Sequence, residues 1–101
     1  IMEAEKQEVN KTPEEKLAIA KIQVMMEDSF GLLSSTYTSL ATKDKARNWF
    51  ETSDCALWCD MAGTTHDRVK KLFGILTERF NSGKINKEEL RLGIRRLEKK
   101  L

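Results

Sequence analysis

The 101-residue chain predicts an all-α fold, a small bundle of about five helices, and three observations carry that expectation. Apolar residues recur at three- and four-residue spacing along most of the chain, the period of a helix with one buried face. Residues that cap helices stand just ahead of those runs. A single proline and five glycines leave few breaks for a β-rich architecture.

Residues 1–11 are polar and lack an apolar period, so they read as a disordered leader before one domain at 12–101. The first helix opens on Thr12 as N-cap, with Pro13 at the first helical position and Glu15 closing a capping box. Leu17, Ile22, Met25 and Met26 can form its stripe, and Ile19 and Val24 widen it. A face that broad predicts burial on two sides or sharing with a partner. Gly31 ends this helix, and residues 31–42 read as a partly helical connector. Thr42 then caps a helix to about Thr52, with Ala46, Trp49 and Phe50 facing inward.

Ser53 or Asp54 caps the next helix, Cys55 to Ala62, and Gly63 suits the left-handed position just past its end. Thr64 caps a longer helix to about Phe80, with Asp67 as capping-box acid and Val69, Leu72, Phe73, Leu76 and Phe80 as its stripe. Asn81-Ser82-Gly83 is a turn signal. Asn86 and Glu89 open the last helix, where Leu90, Ile94, Leu97 and Leu101 recur at 4–3–4 spacing among Arg91, Arg95, Arg96, Lys99 and Lys100. Its stripe either closes the core or zips to a second copy.

The net charge of +2 is unevenly divided. Residues 1–63 carry 7 basic and 11 acidic residues (−4), and residues 64–101 carry 11 and 5 (+6). A basic C-terminal part suggests a surface facing a polyanion, against the plainer alternative of solvated helix faces. No apolar run of about 18 residues is present to span a membrane. The chain shows no secretion-signal pattern, and two cysteines then point to a reducing, cytoplasmic setting.

Cys55 and Cys59 lie one helical turn apart. With His66 they make three candidate metal ligands at a spacing that matches no zinc motif, so packing as small hydrophobes is the preferred reading. The lone histidine has no evident catalytic partner, no glycine-rich phosphate loop is present, and the acids are scattered. No catalytic residue, metal or cofactor is therefore expected, and the chain does not read as an enzyme.

Cys59, Gly63, Val69 and Leu72 have the spacing of a DNA-binding helix-turn-helix, here spanning about 54–80. Cys59 and Ala62 are small enough for a close crossing, Gly63 accepts the corner, and Val69 with Leu72 anchors the second helix. The outward positions are Thr65, His66, Arg68, Lys70 and Lys71. Thr64 and Thr65, with the free amides at the helix start, can hold a phosphate; Arg68 can read a guanine edge and the lysines can meet phosphates. The same spacing also occurs in ordinary helix pairs.

The run Ala46-Arg47-x-Trp49-Phe50-x-x-x-Asp54, followed by Trp58-Cys59-Asp60-x-Ala62-Gly63-x-x-x-x-Arg68-Val69, resembles a short helical module of small phage- and prophage-encoded proteins. The resemblance implies a virus- or prophage-derived cytoplasmic protein, a regulator or DNA-associated factor, and transfers no catalytic residue. Two functions follow. One is a DNA-binding regulator on duplex DNA. The other is an interaction module, such as a phage-encoded inhibitor or adaptor of a host protein, that binds no nucleic acid. Its partner surface would come from Met25, Met26 and Phe30, with Leu90, Ile94, Leu97 and Leu101 on the last helix. A homodimer suits the DNA reading, because two reading heads match a two-fold site.

Overall fold

A computed structural model describes residues 11–32 and 40–101; the leader up to residue 10 and most of the connector after Gly31 lie outside them. The described residues form five α-helices and no strand: α1 (Pro13–Phe30), α2 (Leu40–Trp49), α3 (Ser53–Met61), α4 (His66–Asn81) and α5 (Lys87–Lys100). The chain is an all-α small bundle.

Local chemistry sets most of the boundaries. Thr12 caps α1, and its Oγ1 accepts the Glu15 N–H at 3.1 Å while Glu15 Oε1 accepts the Thr12 N–H at 3.0 Å. Asn86 and Glu89 repeat that reciprocal pair at α5, both bonds at 2.8 Å. Each box satisfies donors that the first helical turn leaves orphaned. Gly31 closes α1 in the left-handed region at φ 73°.

Several boundaries differ from expectation. The second helix ends at Trp49 rather than near Thr52, and Thr52, not Ser53 or Asp54, caps α3. Thr52 serves both ends: its hydroxyl donates to the Trp49 carbonyl at 2.6 Å and accepts the Cys55 N–H at 3.3 Å. Asp54 instead accepts a hydrogen bond from Trp49 Nε1 at 2.8 Å. The start of α2 also precedes Thr42 by two residues, so Thr42 lies within the helix instead of capping it.

Helix α1 packs against α2, α3 and α5, and α4 bridges α3 and α5. Most of the broad apolar face of α1 is thus covered by this chain's own helices. Its buried residues are Ala18, Ile19, Ile22, Met26 and Ser29, whereas Leu17 and Val24 stay exposed. The stripe is rotated from the expected one because Ala18 and Ser29 pack too; the Ser29 hydroxyl donates to the Met26 carbonyl at 2.7 Å, which makes its burial tolerable.

All four phenylalanines join across elements. Phe50 stacks on Phe73 at 4.2 Å between centroids, and Phe30 meets Phe73 and Phe80 edge-on at 5.7 Å each. Arginine side chains tie up the C-terminal end of α1: Arg47 donates to the Ser29 carbonyl in its last turn and Arg91 to that of Leu32, just past its cap. Carbonyls there carry partial negative charge, so a guanidinium both satisfies and neutralises them. No helix of the described residues is long and apolar enough to cross a membrane.

Candidate functional site

The corner between α3 and α4 is built by a complete closing motif. The Gly63 N–H donates to the Asp60 carbonyl at 3.1 Å and the Thr64 N–H to the Cys59 carbonyl at 3.0 Å, with Gly63 at φ 81°. This is the paired bonding of a Schellman turn. It has a direct consequence for the next helix. Because Thr64 is spent on closing α3, the cap of α4 falls one residue later, on Thr65, whose Oγ1 accepts the Arg68 N–H at 3.1 Å. The Thr64 hydroxyl is left buried with no hydrogen-bond partner among the described residues. Asp67 becomes the second helical residue, where it favours the helix dipole but closes no box.

Around the corner, Cys59, Ala62 and Val69 are fully buried and Leu72 is half-buried. The Cys55 and Cys59 sulfurs face each other at 3.9 Å in the core. Burial, reinforced by its neighbour's charge, pushes the Cys55 thiol up to about 12, and burial also raises Cys59. Both are therefore protonated at neutral pH and poor nucleophiles. His66 does not approach them as a ligand: its Nε2 lies 2.6 Å from the Phe50 carbonyl.

The outward cations expected at the start of α4 are largely engaged within the molecule. Arg68 reaches across to the end of α5, where Nη2 and Nε donate to the Lys100 carbonyl at 3.0 and 3.3 Å. Lys70 pairs with Glu51 at 2.9 Å, and the bond to that carboxylate raises its pKa. Lys71 is exposed. Of the six residues Thr64, Thr65, His66, Arg68, Lys70 and Lys71, only Lys71 has, among the described residues, neither a cap or side-chain bond nor a buried polar atom.

The residues expected to meet a protein partner are also placed by the fold. Met26, Leu90, Ile94 and Leu97 are buried in the core, and Met25, Phe30 and Leu101 pack against it half-buried. The last stripe closes this chain's own core, assisted by Gln23, whose side-chain amide donates to the Ile94 and Arg95 carbonyls at 3.0 and 3.1 Å.

An open groove of about 500 Å³ lies between α4 and α5. The two helices run antiparallel, as the turn at one end and the Arg68–Lys100 contact at the other require. Leu72, Leu76, Ile85 and Leu97 form its floor. Ile75 and Leu92 line it while 37% and 50% exposed, so the apolar surface reaches the solvent. Arg79, Arg96 and Lys100 also line it, against a single acid, Glu89. Gly93 permits the close approach: a Cβ there would lie 3.0 Å from Leu76 Cδ2.

Sequence reasoning missed this groove, although a signal existed. Ile75 and Leu92 are apolar residues that fall outside the stripes of their own helices, and both occur on consecutive helices joined by a short turn. Compared with protein families, characterised proteins and solved structures, the chain matches none.

Proposed function

We propose that this protein is an interaction module that binds another protein through the groove between α4 and α5. The observation that carries the reading is the apolar lining left uncovered there, with Leu92 half-exposed and Ile75 more than a third exposed beside it. Concave apolar surface with a few charged groups at its edge is the usual make-up of a site for an inserted side chain or helix. Of the residues first expected to meet a partner, Leu97 lines this groove, while Met26, Leu90 and Ile94 are buried in the core.

A photo-crosslinking residue placed at Leu92 is expected to trap one discrete protein in the cells that make this chain. The same residue at Leu57, exposed on α3, should trap none, and Ile75→Glu should abolish the Leu92 adduct. Equal labelling from both positions, or no Leu92 adduct, removes the reading.

Duplex DNA is the second reading, and one observation favours it: Cys59, Ala62 and Val69 are buried around a positive-φ corner at Gly63, as a helix-turn-helix requires. The Lys70–Glu51 pair is exposed and easily exchanged for a phosphate. A phage or prophage origin and a regulatory role belong to this reading. A low-salt mobility shift that weakens steeply with salt, and whose slope flattens in a Lys70→Ala, Lys71→Ala protein, would establish it. Absence of any shift at low salt would end it.

A further inference from the structure

We propose that the occupant of the α4–α5 groove is an amphipathic helix with acidic flanks. The inference rests on the interaction-module reading and deepens it by naming the chemistry of the partner.

Three features select that occupant. The first is shape. The α4 wall runs from Leu72 to Arg79, about two turns, which matches a helix offering apolar side chains at i, i+3 or i+4, and i+7. The second is charge. Arg96 and Lys100 line the end near the start of α4, and Arg79 lines the other. The one acid, Glu89, is committed to the Asn86 cap and sits at the N-terminal end of α5. Carboxylates on an incoming helix therefore meet Arg96 and Lys100 at one end of the groove and Arg79 at the other, beside its apolar middle. The third is the contrast with other occupants. A second copy would bring the same three cations against these, a repulsive arrangement. A nucleic acid would leave the Ile75 and Leu92 surface unmatched, since its backbone offers no apolar ridge.

A display library of random-sequence helical peptides, selected on the intact protein and counter-selected on Leu92→Glu, tests the proposal. The enriched peptides are expected to carry Leu, Ile or Phe at helical spacing, with Asp and Glu between. An enriched peptide should bind the Arg96→Glu protein at least tenfold more weakly, and replacing its acids by Lys should do the same. Arg79→Glu supplies a second variant on the opposite wall, and unchanged helical circular dichroism shows that each variant is folded.

Enrichment of neutral or basic peptides, or equal affinity for acidic and Lys-substituted forms, overturns the acidic assignment. So does self-association lost with Leu92→Glu, or tighter groove-dependent binding to anionic vesicles or duplex DNA. If no acidic peptide emerges but the Leu92 crosslink forms, the groove takes a partner of other chemistry. If neither appears, both readings fail together.

Discussion

At Gly63 the backbone and one distant side chain constrain the same atom position. With φ at 81°, an L side chain pays roughly 1–2 kcal/mol for the left-handed conformation. A Cβ there would also lie 3.1 Å from Glu15 Oε2. That carboxylate cannot swing away freely, because its other oxygen holds the Thr12 N–H in the α1 capping box. Gly63→Ala should therefore destabilise the protein by about 1–2 kcal/mol or more, read as a lower urea midpoint at unchanged slope. A change below about 0.5 kcal/mol would contradict the left-handed corner. The corner itself was legible in the sequence from the glycine. Which threonine caps the following helix was not, because Thr64 and Thr65 offer the same hydroxyl. The choice is made by a backbone bond from Thr64 to Cys59 that local pattern does not reveal.

Among the elements, α4 and α5 each carry an internal glycine, and the two have opposite surroundings. Gly93 faces Leu76 across the helix pair, so its missing side chain sets the approach of the two helices. Gly74 is exposed, and a Cβ there would meet nothing within 4 Å. It contributes only the entropic weakness of glycine in a helix, about 0.5–1 kcal/mol relative to alanine. Gly74→Ala should accordingly raise stability by about that amount, as a higher melting temperature with unchanged binding properties. A loss of stability would mean that Gly74 has a packing role. Element existence and capping were readable because they depend on neighbours in sequence: Thr12 with Glu15, and Asn86 with Glu89. The face that each helix buries was less readable. On α1 the core takes Ala18 and Ser29 and leaves Leu17 at 61% exposure, an outcome fixed by where α2, α3 and α5 cross rather than by the hydropathy of α1. The groove was hidden for the same reason, since it exists only once α4 and α5 lie side by side.

Over the whole molecule, the division of charge was plain in the sequence, but its use depends on the fold. Arg47 and Arg91 bind carbonyls at the end of α1 and Arg68 one at the end of α5, so part of the cationic surplus holds the bundle together. The core closed in this way encloses two thiols, and their titration becomes a property of the entire fold. Both Cys55 and Cys59 are fully buried, and Cys55 is raised from 9.0 to about 12, first by burial and then by its neighbour. Well below pH 9 both thiols are protonated in the folded and the unfolded chain, and stability does not depend on them. Above pH 9 the unfolded chain releases protons that the native state retains, so stability must fall as pH rises. Each thiol contributes a slope of up to about 1.4 kcal/mol per pH unit until its native pKa is reached. Lys70, also raised, adds a loss of the same sign, but only above 10.5, so the interval from pH 9 to pH 10 isolates the thiols. Urea unfolding in the presence of reductant should show the wild type losing stability across that interval. Cys55→Ala, less stable at neutral pH because a core atom is missing, should lose clearly less over the same interval. Parallel pH profiles for the two proteins would show that Cys55 does not titrate on unfolding, and hence that its thiol is not enclosed by the bundle.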